Sequence, residues 1–285
     1  MLTDTHAHLD FPEFTADFHE VLARAEMAGV NRMITIGTSV EGSRRAVALA
    51  EAFPNVYAAI GVHPNSAMEC EDDFIEELRE LARSPRVVAI GEIGIDYHRL
   101  PGQAMMTPQP VWLAEMPLND PFEPSAAIRD GAIKARQAIV FEQQLDLAVE
   151  LGLNVVIHER DAWEETVEQL APYEGKLRAV FHCFGKTIDQ ARHLLGMNHL
   201  VSFTGIVTFK NSATVQETAA HLPDHSFMVE TDCPFLAPVP NRGKRCEPAH
   251  TRLVAEKIAQ LRGTSLELIA AQTEAVANNF FRFQG

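Results

Sequence analysis

Four histidines and two acids stand at the ends of short apolar runs in this 285-residue chain. They are His6 and His8 in Thr-Asp-Thr-His-Ala-His, Glu92 in Ile-Gly-Glu-Ile-Gly, His158 in Val-Val-Ile-His, His182 in Val-Phe-His-Cys and Asp232 in Val-Glu-Thr-Asp. Imidazole and carboxylate together suit Zn²⁺, Mn²⁺ or Fe²⁺, and with water they also hold Mg²⁺. Six such groups exceed the three protein ligands of a mononuclear catalytic zinc, so the set predicts two divalent cations. Strand side chains at i and i+2 share one side, which lets His6 and His8 grip the same ion. Asp232 joins them in the first site, and His158 and His182 form the second. Glu92 is expected to bridge, because a carboxylate offers two oxygens where a ring nitrogen offers one lone pair.

Residues spread from position 6 to position 232 meet only if a fold gathers strand ends at one place. The eight-stranded parallel barrel does this, with its active site on the ring of C-terminal strand ends. Eight runs rich in Val, Ile and Phe read as buried parallel strands, near 2–7, 32–38, 56–62, 86–93, 153–158, 178–182, 199–204 and 226–231. Helical spacing fills 15–28, 41–53, 72–83, 134–151, 162–171, 187–196 and 211–221, with a terminal pair near 250–262 and 265–281. Gly29 and Gly152 fall where helix C-caps are expected. The alternation predicts an α/β fold, a (β/α)8 barrel in one domain over 1–285. No Gly-x-Gly-x-x-Gly follows the first strand, which argues against a dinucleotide fold. Residues 99–131 break the rhythm: Pro101, Pro108, Pro110, Pro117, Pro121 and Pro124 interrupt any regular helix there. Because this segment follows the fourth strand, it is expected as an insertion on the active-site rim.

Composition narrows the function classes. No apolar stretch approaches the roughly 18 residues that cross a bilayer, and Asp4, His6 and His8 arrive before any signal-peptide core forms. A cytoplasmic monomer with no membrane partner is the expectation. Cys70, Cys183, Cys233 and Cys246 lack zinc-ligand spacing and are too sparse for a disulfide scaffold. A net charge of −15 argues against gripping nucleic acid by a bulk basic field.

An ordered series of short motifs runs through Asp4-Thr-His6-Ala-His8-Leu-Asp10, Gly61-Val-His63-Pro64 and Gly91-Glu92-Ile-Gly94-Ile-Asp96-Tyr97. It continues through His158-Glu-Arg160-Asp161-Ala162, His182-Cys-Phe184, Ser202-Phe-Thr-Gly205 and Thr208-Phe-Lys210. It closes with Glu230-Thr-Asp232-Cys-Pro234-Phe-Leu-Ala-Pro238 and Arg242-Gly-Lys-Arg245-Cys-Glu247-Pro248. In this series, across nearly the whole chain, the sequence resembles the TatD family of metal-dependent deoxyribonucleases. The resemblance implies a barrel, divalent metal at the six groups above, and hydrolysis of a phosphoester, DNA from an end or a small phosphoester. Four features depart from the family pattern: Glu159 in place of the common Ser, Gly185-Lys186 in place of Ser-Gly, Cys246 in place of Asn, and the length of 99–131. None removes a metal ligand, so the departures bear on substrate choice.

Two Zn²⁺, Mn²⁺ or Mg²⁺ ions bridged by Glu92 would supply hydroxide near neutral pH, with Asp232 as general base. His63, outside the ligand set, is expected to hydrogen-bond a phosphate. Arg160, Lys210 and Arg242, with Lys244 and Arg245, are expected to cradle phosphates at the rim. The alternative is a hydrolase of a small amide, ester or lactone on the same barrel and metals.

Overall fold

The computed structural model describes residues 1–98, 100–101 and 125–283. Its strands form one sheet in chain order: β1 (Leu2–Ala7), β2 (Val30–Ile36), β3 (Val56–Ile60), β4 (Val87–Asp96), β5 (Asn154–Arg160), β6 (Ala179–Phe181), β7 (Leu200–Phe203) and β8 (Phe227–Val229). Each consecutive pair is parallel. The first and last strands meet through an isolated parallel bridge between Ala7 and Cys233. Beside it the His8 N–H donates to the Cys233 carbonyl at 2.8 Å and the Asp232 N–H to the His6 carbonyl at 2.8 Å. The sheet is thus the expected eight-stranded barrel, drawn shut by a short seam.

The helices among the described residues are α1 (Phe18–Met27), α2 (Val40–Ala52), α3 (Phe74–Leu81), α4 (Ala126–Leu151), α5 (Trp163–Leu170), α6 (Ile188–Gly196), α7 (Ala213–His221), α8 (Thr251–Arg262) and α9 (Leu266–Phe281). Side-chain caps fix several starts: Ser39 for α2, Ser125 for α4, Thr187 with Gln190 for α6, and Ser265 for α9. Gly152 ends α4 in the left-handed conformation at φ 65°, where a Cβ would be disfavoured.

Two helix starts differ by three residues or more from the sequence reading. The first helix begins at Phe18 because Pro12–Phe14 forms a separate 3₁₀ turn. The long helix begins at Ala126 rather than 134, since the last proline of the irregular stretch is Pro124 and the Ser125 hydroxyl accepts from the Ile128 N–H. Residues 126–131 therefore belong to α4, and most of the expected rim insertion, 102–124, lies outside the described residues.

Alternate strand residues build two apolar layers. Met33, Val56, Ala58, Val155, Phe181, Val201 and Phe227 pack toward the helices. Ile34, Ile36, Ala59, Val88, Val156, Val180, Leu200 and Met228 fill the barrel, together with Phe280 and Phe281 of α9. The Asn154 side chain donates to the Phe280 carbonyl at 2.7 Å, and Thr3 and Arg32 both bind Glu274, pinning α9 across the end where the strands begin. That plug leaves the opposite end open for chemistry. Truncating a fully buried ring such as Phe280 to Ala costs about 3–5 kcal/mol.

Two of the register shifts in the sheet fall beside the site, where β1 and β4 each carry one residue too many for regular pairing. In β1, Asp4 pairs with Met33 but Ala7 with Thr35, so Thr5 and His6 together stand opposite Ile34. In β4, Ile90 pairs with Val155 but Ile93 with Ile157, so Gly91 and Glu92 stand opposite Val156. An extra residue re-aims the side chains that follow it, and here it turns His6 and Glu92 into the barrel mouth.

Candidate metal centre at the barrel mouth

The six side chains singled out in the sequence come together at the C-terminal ends of β1, β4, β5, β6 and β8. His6 Nε2 lies 3.6 Å from Glu92 Oε2 and 3.7 Å from Asp232 Oδ1. His8 Nε2 lies 3.3 Å from Asp232 Oδ1 and 3.8 Å from Glu92 Oε2. The other carboxylate oxygen, Glu92 Oε1, faces His182 Nε2 at 2.7 Å and His158 Nδ1 at 2.8 Å. Glu92 thus turns one oxygen to each half of the cluster.

The electrostatics of this cluster call for positive charge. Burial alone would depress the His8 and His158 rings, yet Asp232 and Glu92 push His8 up to about 9, and Asp96 and Glu92 push His158 up to about 9. Burial works to raise the Glu92 carboxyl, but His182, His63, His6 and His158 outweigh it and hold it well below the ordinary range. Asp232 is likewise held low against burial by His8, His6 and His182. Both ring nitrogens of His6 and the Nδ1 of His182 are buried with no hydrogen-bond partner, a costly state that a bound cation or a shift of protons relieves. Among the described residues, three triads have donor atoms within 4.8 Å of one another: His6, His8 and Asp232; His6, His182 and Glu230; His63, Glu92 and His158. The residues present therefore fit divalent metal.

Neighbours set which nitrogen each ring turns inward. His8 Nδ1 lies 3.3 Å from the Ile36 carbonyl, so one N–H belongs there and Nε2 is the nitrogen turned to the centre, where a cation would take the place of its proton. His158 Nε2 lies 3.1 Å from Asp96 Oδ2, which leaves Nδ1 turned to Glu92. Behind His182, Glu230 Oε1 stands 3.7 Å from Nδ1. Glu230 is itself fixed by the Cys183 N–H and the Ser202 hydroxyl, each at 2.6 Å. Asp96 and Glu230 were not singled out by sequence reasoning. The signal was available: each shares the strand parity of a chosen acid, four residues past Glu92 and two before Asp232.

His63 lies at the mouth with Nε2 3.6 Å from Glu92 Oε1. Its Nδ1 accepts from the Asn65 N–H at 3.0 Å, so the neutral ring carries its proton on Nε2. Burial pushes its pKa down to about 3, which keeps it neutral. It is a donor rather than a lone pair aimed at the centre. Asp232 and Cys183 take left-handed backbone at φ 60° and 49°, a conformation that non-glycine residues adopt sparingly and that gathers at functional sites.

Above the cluster opens a cavity of ≈ 780 Å³, lined among others by Phe11, His63, Asp96, Arg160, Lys186 and Phe235. Of the basic residues expected at the rim, Arg160 lines it, whereas Lys210 and Arg242 stand outside the lining. The Arg242 guanidinium instead sits 4.4 Å from the centre of the Phe209 ring. Arg245 is committed to Asp17 at 2.6 Å and Glu247 at 2.9 Å, so it ties its loop to α1. Lys186 lines the cavity and was not expected there.

A family model described as TatD related DNase matches residues 3–282. The chain is 36% identical over 283 residues to YabD of Bacillus subtilis, named an uncharacterized metal-dependent hydrolase, with 99% of each chain covered. It is 31% identical over 284 residues to a protein of Enterobacter lignolyticus named 3'-5' ssDNA/RNA exonuclease TatD, covering 98% of each. The solved structure of YjjV, a TatD homologue from Escherichia coli, superposes with a TM-score of 0.83 at 27% identity, covering 99% of this chain and 98% of that one.

Proposed function

The chain belongs to the TatD-related DNase family of metal-dependent hydrolases, and on that premise we propose that it cleaves phosphodiesters at the end of a single nucleic-acid strand. The observation that carries this reading is Glu92, whose two oxygens face two separate sets of nitrogens. One cation would be held by His6, His8, Asp232 and Glu92 Oε2, and a second by His158 Nδ1, His182 Nε2 and Glu92 Oε1. Divalent cations among these donors would supply Lewis acidity, lowering the pKa of water and offsetting charge on phosphoryl oxygens.

The protein's own groups do the rest. Asp232, ionised and held 3.3 Å from His8, takes the proton of the attacking water. The Nε2–H of His63 donates to a phosphoryl oxygen, and Arg160 adds charge at the rim. Asp96 and Glu230 keep the His158 and His182 rings turned, so the donors are in place before substrate arrives. Lys210 and Arg242, outside the cavity, would meet phosphates farther along a bound strand. A cavity of ≈ 780 Å³ matches small-ligand pockets, which suits a chain end better than a duplex. The net charge of −15 supports the same local mode of binding.

The test strips the protein with chelator, reloads it with Mg²⁺, Mn²⁺ or Zn²⁺, and offers end-labelled single-stranded DNA beside bis-p-nitrophenyl phosphate and p-nitrophenyl acetate. Stepwise release of mononucleotides is expected. Ester turnover with neither phosphate substrate cleaved under any metal would move the assignment to a small-ester hydrolase.

A further inference from the structure

Two of the positions at which this sequence departs from its family's pattern lie against each other at the cavity. Lys186 Nζ is 3.0 Å from Glu159 Oε2. The other Glu159 oxygen accepts from the Ala162 N–H at 2.9 Å, and the Glu159 side chain is only 4% exposed against 29% for Lys186. Both side chains line the cavity, the ammonium being the more exposed of the two. The Lys186 backbone is equally fixed: its carbonyl accepts from the buried Thr218 hydroxyl at 3.0 Å, and the next residue, Thr187, caps α6. Its Nζ also lies 5.8 Å from the centre of the Trp163 ring. An ordinary surface lysine spends rotamer entropy to bind an anion; this one is already held.

We propose that Lys186, oriented by Glu159, is a phosphate subsite that takes a non-bridging oxygen of the phosphate next to the reacting one. The claim rests on the phosphodiester reading above and narrows it to substrates with two or more phosphates. An ammonium has three donors; Glu159 occupies one, and the others are left for an anion. Among the described residues, Arg160 and Lys186 are the arginine and lysine residues lining the cavity. Arg160 follows Glu159 on β5, whereas Lys186 stands on the neighbouring β6–α6 connection, four residues past His182. The Glu159–Lys186 pair joins the end of β5 to the β6–α6 connection, so its position depends on both.

The experiment compares metal-loaded wild type with Lys186→Met, Lys186→Arg and Glu159→Gln on two substrates, pentathymidylate and the p-nitrophenyl ester of thymidine 5'-monophosphate, which has one phosphate. Lys186→Met is expected to raise KM for the pentamer about tenfold with little change in kcat, at least about fivefold more than for the ester, as befits loss of one ionic hydrogen bond. Lys186→Arg should recover most of the loss, and Glu159→Gln should fall between. Binding of a phosphorothioate pentathymidylate, followed by fluorescence anisotropy, supplies a readout apart from turnover. Its log Kd against log salt should lose about 0.7 of slope in Lys186→Met, the share of one single-strand phosphate contact. Equal KM changes on both substrates, or an unchanged salt slope, would overturn the subsite. If wild type cleaves neither substrate, the phosphodiesterase reading fails on its own, and the anisotropy series still decides Lys186: a slope that depends on it sustains the subsite, and no such dependence or no binding removes it.

Discussion

The amide of Asp232 donates to the carbonyl of His6 at 2.8 Å, so one hydrogen bond across the barrel seam sets the last strand's carboxylate beside the first strand's imidazole. The Asp232 side chain then reaches His8 at 3.3 Å. Replacing it by Asn keeps the backbone bond and removes the base. Asp232→Asn is expected to lower kcat by about 10²–10⁴-fold while the melting temperature stays within a few degrees. Activity near the wild-type level would take Asp232 out of the proton-accepting role.

Cations that bind only the folded chain stabilise it by mass action. At a hundredfold excess over Kd each ion contributes about 2.7 kcal/mol, so two contribute about 5.4 kcal/mol, or roughly 9 °C in a chain of this size. Chelation should lower the melting temperature by that amount, and elemental analysis of reloaded protein should return two ions per chain. Glu92→Gln should reduce the stoichiometry. A full complement of metal in that variant would show that Glu92 does not join the two halves.

Gly94 has φ 140°, and a Cβ there would come within 2.0 Å of the His158 carbonyl oxygen. Backbone cannot yield as a flexible side chain does, so Gly94→Ala must push β5 away from β4. The expected outcome is a loss of at least about 2–3 kcal/mol in denaturant unfolding, together with weaker metal binding. A variant with native stability and stoichiometry would mean that the strand pair is softer than its packing implies.

His199, 1% exposed near the start of β7, accepts from the Ala179 N–H on Nδ1. Burial, with help from Arg178, pushes its pKa down to about 4. The unfolded chain takes up this proton near pH 6.5 and the folded chain only near 4, so stability falls as pH drops through that window. The loss is on the order of 3 kcal/mol at its end. His199→Asn, whose amide oxygen can accept in place of Nδ1, should flatten the urea midpoint between pH 6.5 and 4; an unchanged pH profile would exclude His199 as its source.

Salt dependence tests how much nucleic acid the site touches. Two or three phosphate contacts on a single strand correspond to a slope of log Kd against log salt of about 1.5–2. A slope above about 4, the mark of six contacts, would require a track extending well past the cavity.

Strand runs were legible because a barrel strand is buried on both faces and reads as a continuous apolar stretch, as in β3 and β8. The six polar residues ending those runs stood out for the same reason. Asp96 and Glu230 did not, since an acid behind a ring leaves no mark beyond its parity with Glu92 or Asp232. The rim was the least legible part. Arg242, Arg245 and Lys186 are similar as letters, yet one stacks on Phe209, one is held by Asp17 and Glu247, and one faces the cavity. Loop cations owe their direction to partners distant in sequence. The start of α4 at Ala126 was hidden by prolines that end two residues earlier.

The surplus residues in β1 and β4 decide which way His6 and Glu92 look. Because strand side chains alternate, removing one residue at either place would leave the letters of the sequence almost intact and swing a ligand from the solvent-facing basin into the packing between sheet and helices. For this barrel, chain length at two points is as much a part of the reactive chemistry as the side chains themselves. A relative could lose that chemistry through a single-codon deletion without altering any of the six groups.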